Sequence, residues 1–388
     1  TLVLRERFIG AKIIRAFDNS KKERDKFNDI AQDYTDNYII INKKFALLSP
    51  MAFALMSVVI TLIIFFGAMK VLNNSLEIGS ITAIVEYSLT TIAALIMSSM
   101  VLVQMPKAVV SIERIEEVLA VTSEIKDKED LKDNSYYEKI LKQNPISLTF
   151  NNVCFRYRGA EKQILKNISF SIKAGERFAI VGATGSGKST IAKVLLRLND
   201  IEDGEILVNN VNSLDLPLTC LRNQISYIPQ KAYIFSGNIK DNFRFVNKNM
   251  TDEEMIKIAK VAQSYDFIDS LPDKFDSFVA QGGTNFSGGQ KQRLSIARAL
   301  SKEANIYLFD DSFSALDYAT DAKLRKELKT FLKDKITIII AQRLSTIADA
   351  DKIIVLKDGE ITGMGTHKEL LENNQEYIEL AKSQGILE

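Results

Sequence analysis

Gly182-Ala183-Thr184-Gly185-Ser186-Gly187-Lys188-Ser189-Thr190 has the residue types and the spacing needed to hold a chain of phosphates. A short apolar run, 178–181, leads into G-x-x-x-x-G-K-S, and an apolar helical pattern follows at 191–196. This is the strand, glycine-rich loop and helix order of a P-loop. Gly182, Gly185 and Gly187 allow tight turns that aim successive N–H groups at one anion. The N-terminus of the next helix adds its dipole. Lys188 can reach the outer phosphates, and the Ser189 hydroxyl can ligate Mg2+. The same glycines could form a turn that binds nothing, but the flanking strand and helix weigh against that.

Further chemistry lies downstream. Ile306-Tyr307-Leu308-Phe309-Asp310-Asp311 reads as a buried strand ending in acid. A P-loop needs such an end, so that a carboxylate can hold Mg2+ through water. Asn285-Phe286-Ser287-Gly288-Gly289-Gln290 opens a helical pattern at 291–300. Ser287 and the two glycines would make a second phosphate-facing helix N-terminus. One nucleotide needs only one P-loop, so a second cradle points to another molecule's ATP. Upstream, Val153-Cys154-Phe155-Arg156-Tyr157 offers an aromatic that could stack on an adenine. Strand aromatics are more often core, and the sequence leaves both readings open.

The elements that must position these groups differ along the chain. From residue 146 onward, short apolar runs alternate with helical patterns, an α/β signature. Thr251–Glu254 and Thr366–Glu369 have capping-box spacing, and Asp358-Gly359 reads as a hairpin turn. The stretch 123–143 is rich in Lys, Asp and Glu, and it places a linker at 119–145. Residues 1–44 are charged and helix-forming, with apolar positions three to four apart over 3–17. Residues 45–69 carry no charge between Lys44 and Lys70. As a helix they would extend ~37 Å, enough to cross a bilayer with some tilt. A second apolar stretch, 78–106, has one charge, Glu86. The polar turn between them makes a hairpin. Lys43, Lys44, Lys107 and Arg114 lie at its open ends and only Lys70 at the turn. The positive-inside rule puts the open ends in the cytoplasm. A buried hairpin of a soluble protein is the alternative. Glu86 lies near the outer end, where snorkelling lowers its cost.

Bulk composition agrees with one membrane piece and one soluble piece: 388 residues, 46% hydrophobic and 26% charged. A net charge of +1 gives no nucleic-acid signal. The two cysteines, Cys154 and Cys220, lack zinc spacing and fit a reducing compartment. His367 is the single histidine. The chain opens at Thr1 without Met, which reads as an N-terminal truncation.

Taken together, these motifs resemble the C-terminal part of an ABC exporter half-transporter. The resemblance rests on Tyr157 (A-loop), 182–189 (Walker A), Gln230 in Tyr227-Ile228-Pro229-Gln230 (Q-loop), 286–290 (signature), Asp310 (Walker B) and Ser314-Ala315-Leu316-Asp317 (D-loop). Glu6-Arg7-Phe8-Ile9-Gly10 sits where the family has E-x-l-x-G. The resemblance implies transmembrane helices of a partial exporter membrane domain (1–118, spans about 45–69 and 80–106), then an α/β P-loop nucleotide-binding domain of ABC type (146–388). It implies ATP and Mg2+ as cofactors. ATP would be bound by Tyr157, 182–190, Gln230 and Asp310, and by Ser287, Gly288, Gly289 and Gln290 across a dimer. Mg2+ would be held by Ser189, Gln230 and Asp310, partly through water. It further implies a multi-pass protein of the plasma membrane, the ATPase domain cytoplasmic, exporting a multidrug-type or lipid-like substrate.

Two positions depart from the family pattern. Its catalytic glutamate follows the Walker B aspartate, and here that residue is Asp311. Its switch histidine precedes R-L-S-T, and here that residue is Gln342. Asp is one methylene shorter than Glu, so its carboxylate retracts by ~1.5 Å, and a misplacement of about 1 Å can cost ~10²-fold in rate. Gln342 can hydrogen-bond a phosphate but carries neither charge nor proton. Gln281 is a smaller departure, where many exporters have Glu. With Asp311, Gln342 and Gln230 as its catalytic set, the chain resembles the degenerate-site subunit of a heterodimeric exporter. Its partner would be a different half-transporter with Glu and His at these positions. A homodimeric exporter with slow hydrolysis and a soluble, non-transporting ABC ATPase are the alternatives.

Overall fold

The computed structural model describes residues 2–141 and 146–387. It divides into two compact units, Thr1–Thr122 and Ser123–Glu388.

In the first unit, α1 (Leu2–Ile9) and α2 (Ala11–Ala16) precede two long helices, α3 (Ser20–Leu72) and α4 (Ile78–Leu119). α3 runs for 53 residues, or ~80 Å at the usual rise. The polar stretch from residue 20 and the apolar stretch after it are thus one continuous helix, which composition alone separates. Pro50 lies inside it, as helices of membrane proteins tolerate. Among the described residues, the windows apolar enough to cross a bilayer are Pro50–Leu72 and Ile78–Ser98. The side chains at 45, 48, 49, 99, 100, 102 and 103, within the expected spans, lie outside the described residues. Only 6% of the first window and none of the second is buried within the unit. So much apolar surface requires cover from lipid or from other helices. The hairpin closes tightly: a Cβ on Gly67 would lie 2.9 Å from the Ile81 side chain, a small-residue approach of the kind that packs membrane helices. At the turn, Ser75 donates to the Lys70 carbonyl through its N–H at 3.0 Å and its hydroxyl at 2.9 Å.

The second unit begins inside the stretch read as a linker, and that stretch is not loop throughout. Helix α5 (Asn134–Leu141) buries Tyr137 and Leu141, four apart on one face, in the core. Residues 142–145 of the expected linker lie outside the described residues. Next come β1 (Ser147–Phe155), β2 (Leu165–Lys173), β3 (Arg177–Gly182), α6 (Lys188–Leu195), β4 (Asp203–Val208), β5 (Val211–Asn212), α7 (Leu218–Gln224) and β6 (Ile225–Ile228). A mostly helical segment follows, with β7 (Gly237–Asn238), α8 (Ile239–Arg244), α9 (Asp252–Val261), α10 (Tyr265–Asp269), β8 (Phe278–Val279) and α11 (Gly288–Leu300). The chain closes with β9 (Ile306–Asp310), α12 (Tyr318–Phe331), β10 (Ile336–Ile340), α13 (Leu344–Ile347), β11 (Lys352–Lys357), β12 (Glu360–Gly365), α14 (His367–Asn373) and α15 (Gln375–Ser383).

The antiparallel sheet has the order β2-β1-β4-β5, and the larger sheet β12-β11-β3-β10-β9-β6. The larger sheet is parallel except at β12. Every residue of β3, β9 and β10 is buried, as expected of parallel strands covered on both faces. Alternate residues of β3 serve different cores. Phe178 and Ile180 pack with Phe150 and Phe170 of the antiparallel sheet, and Ala179 and Val181 with Leu294 of α11 and Leu324 of α12. Register then sets the site. Ile340 pairs with both Ile180 and Asp310, and Ile228 pairs with Phe309. The carboxyl ends of β3, β10, β9 and β6 therefore lie abreast, where open α/β sheets bind ligands.

Candidate functional site

The loop after β3 is built around a buried lysine. Gly187 caps α6 at φ +101°, a conformation that favours glycine. A Cβ on Gly182 would fall 2.1 Å from the Leu356 carbonyl oxygen, so only glycine fits there. Lys188 is 7% exposed, and its Nζ donates to the carbonyls of Gly182 at 2.8 Å and Ala183 at 2.7 Å. Burial lowers its pKa, against the opposing charges of Asp311 and Asp310. Its ammonium thus rests on the loop's own carbonyls, with Ser186 Oγ at 3.5 Å.

Asp310 ends β9 and is buried. Its Oδ1 accepts from the Ser189 hydroxyl at 2.9 Å and its Oδ2 from the Tyr227 hydroxyl at 3.1 Å. Burial, reinforced by Asp310, raises the Tyr227 pKa. Local sequence pattern does not mark Tyr227 as a site residue. The pairing of β6 with β9 brings it there, and strand order is not written in local pattern. The Ser189 hydroxyl, the Asp310 carboxylate and the Gln230 amide together are oxygen donors of the kind Mg2+ takes.

Asp311 steps out of the strand. Its φ is +46°, and its N–H donates to the Ile340 carbonyl at 2.8 Å. Its Oδ2 accepts from Gln230 Nε2 at 2.9 Å and from Gln342 Nε2 at 3.0 Å. The two unusual positions, Asp311 and Gln342, thus meet in one cluster, with the Q-loop glutamine as third member. Burial raises the Asp311 pKa; the Gln230 hydrogen bond opposes this, and Asp310 adds to it. His367 lies elsewhere, with its Nδ1 2.6 Å from the buried Tyr377 hydroxyl.

Tyr157 is half-buried. Its hydroxyl is 3.3 Å from Thr190 Oγ1, and it accepts from Lys193 Nζ at 3.2 Å. Its ring meets Phe155 edge-on at 4.8 Å. It therefore flanks the P-loop helix and does not sit in a closed core. Ser287 and Gln290 are engaged with each other at the start of α11. The Gln290 N–H donates to Ser287 Oγ at 3.3 Å, and the Ser287 N–H donates to Gln290 Oε1 at 2.9 Å. A Cβ on Gly288 would meet nothing within 4 Å, and Ser287 and Gly288 are exposed. Gly289 and Gln290 are half-buried. Among the described residues, no hydrogen bond joins this segment to the P-loop. The fold gathers the P-loop, Asp310, Asp311, Gln230 and Gln342 at one place, and leaves the second helix N-terminus open.

Comparison with known proteins agrees with this architecture. Residues 165–314 match the family model "ABC transporter", and residues 1–95 match "ABC transporter transmembrane region". By fold this chain is an ABC exporter membrane region followed by an ABC nucleotide-binding domain. An uncharacterized ABC transporter ATP-binding protein of Mycobacterium tuberculosis is 35% identical to it over 99% of the chain. An ATP-dependent lipid A-core flippase of Haemophilus influenzae is 34% identical over 97% of the chain. The chain covers 65% of the first of these proteins and 63% of the second. Among solved structures, a bacterial Atm1-family ABC exporter with ATP bound superposes with a TM-score of 0.84 at 29% identity, over 98% of this chain and 66% of that one. The half-transporter architecture expected from the motifs is therefore present, as far as the chain extends.

Proposed function

We propose that this chain is one half of an ATP-driven exporter whose own P-loop site binds Mg-ATP and hydrolyses it poorly, while its Ser287-Gly288-Gly289-Gln290 segment completes the site of a partner. The carrying observation is the cluster at Asp311. A carboxylate one methylene shorter than glutamate accepts from two neutral amides, Gln230 and Gln342. A general base must accept a proton from water, and its acceptor oxygen is better left open. Here one oxygen is doubly engaged, and no imidazole stands beside it. The binding groups are complete by contrast. Lys188 would meet the outer phosphates, the loop N–H groups their oxygens, Tyr157 the base, and Ser189, Gln230 and Asp310 the Mg2+, which supplies charge neutralisation when bound.

The exposed start of α11 supports the second half of the proposal. Its helix N-terminus and the open Gly288 can receive phosphate oxygens, and among the described residues no hydrogen bond ties this segment to the chain's own P-loop. The partner is then a second half-transporter carrying Glu and His at the positions of Asp311 and Gln342. The bare apolar faces of α3 and α4 support a place in a bilayer, read here as the plasma membrane, and the basic residues at the hairpin's open ends support a cytoplasmic ATPase domain. The name of the flippase relative supports a lipid-like cargo. Isothermal titration of the full chain in detergent, paired with phosphate release, tests the binding half. Mg-ATP should bind and turn over very slowly. Lys188→Ala should weaken binding by about 10–100-fold, the loss of charge-assisted hydrogen bonds. Unchanged affinity in that variant would remove the assignment.

A further inference from the structure

The last helix reaches back to the residue beside Asp311. α15 ends at Ser383, and Gln384 follows as its cap. The Gln384 side chain makes two hydrogen bonds to one short stretch of backbone: Nε2 donates to the Gln342 carbonyl at 2.8 Å, and Oε1 accepts from the Leu344 N–H at 2.8 Å. One amide thereby brackets Arg343 with both of its ends. This stretch has just left β10, whose ladder stops at Ile340 and Ala341. Leu344 opens the four-residue α13, whose first N–H groups have no partner within the helix. Leu344 is buried, but the side chains of Gln342 and Arg343 are exposed. Packing of Leu344 and a Gln384 hydrogen bond fix the far end of the turn, and the second Gln384 hydrogen bond fixes the near end.

On its other side, the same residue points its amide at Asp311. Lys188 and Asp311 lie close enough for each charge to act on the other. Ser189, next to Lys188, donates to Asp310, next to Asp311, so the Gln342 amide stands on the Asp311 carboxylate at the edge of the P-loop site.

We propose that Gln384 is a positioning residue. By clamping the backbone on either side of Arg343, it aims the Gln342 amide at the outer-phosphate position and sets the preference of this site for ATP over ADP. The inference rests on the nucleotide-binding reading given above. Gln384→Ala leaves the exposed Gln342 carbonyl to water and takes the partner from the part-buried Leu344 N–H, a local cost that the domain core is large enough to bear. The aim of Gln342 is what should be lost.

The test is the ratio of ADP to ATP dissociation constants for the full chain in detergent with Mg2+, by isothermal titration. A general loosening of the domain would weaken both nucleotides alike and leave the ratio unmoved. The parent should prefer ATP. Gln384→Ala should lower that preference by about fivefold, the equivalent of roughly one net hydrogen bond. Gln384→Met, close in size but without the hydrogen bonds, should match it. Gln342→Ala should have the same effect, and the double variant should be no worse than either single one, since both act through one contact. A parental ratio in Gln384→Ala, or fully multiplying effects in the double variant, overturns the positioning role. A parent that binds no Mg-ATP overturns the nucleotide reading and this inference with it. A parent that binds both nucleotides equally overturns this inference alone.

Discussion

Burial beside Gln230, Gln342 and Asp310 makes ionised Asp311 costly in the folded chain, and that cost has a definite pH dependence. Its folded pKa is raised, so the folded state holds this proton more tightly than the unfolded state. The favourable contribution is complete below the unfolded pKa of about 3.9 and is lost as pH rises through the folded value. Asp311→Asn keeps an oxygen for both amides and removes the charge. It should therefore raise the thermal midpoint at pH 7–8, and the gain should shrink toward zero near pH 4 in a series of melts. A gain independent of pH would contradict this. The complementary change adds chemistry. Asp311→Glu with Gln342→His should raise hydrolysis at this chain's own site by ~10²-fold, the cost estimated for a displaced base, in phosphate-release assays.

At the scale of elements, caps were the most legible feature. Thr251 and Thr366 each accept from the N–H of the glutamate three residues on, as their spacing predicts. Thr366→Ala should cost about 1 kcal/mol in denaturant unfolding, the usual value of a lost cap. The same rule applies to Ser287-x-x-Gln290 and to Asn238-x-x-Asp241, where the box is less legible because the helix opens on glycines or pairs Asn with Asp. The Asp358-Gly359 hairpin forms between β11 and β12, with φ of +49° and +83°, the two positive values of a type I′ turn. What local pattern could not supply was sheet order. β6 is early in sequence yet lies beside β9 at the sheet edge, and only that neighbour relation brings Tyr227 to Asp310 and Gln230 to Asp311. The continuity of α3 escaped for a related reason: a helix does not end where its solvent changes.

Across the whole molecule, the proposal makes claims about membrane placement and about asymmetry. Asn73, at the turn between α3 and α4, and Ser123, at the start of the second unit, should lie on opposite sides of the bilayer. Cys154 and Cys220 are buried, so engineered cysteines at 73 and 123 can be labelled from either side over a low background. Labelling of both from one side would contradict the hairpin topology. The central claim is that this chain's P-loop site is binding-only while its second helix N-terminus serves a partner's hydrolysis. ATP turnover of the assembled transporter tests it most directly, with Asp311→Asn and Ser287→Arg compared in otherwise identical complexes. Asp311→Asn should leave turnover within a few-fold of the parent. Ser287→Arg places bulk in the exposed cap and removes an electrostatic donor from a reacting phosphate, a loss of ~10²–10³ in rate. Equal damage from the two substitutions would mean that Asp311 is a working base and that this site is catalytic.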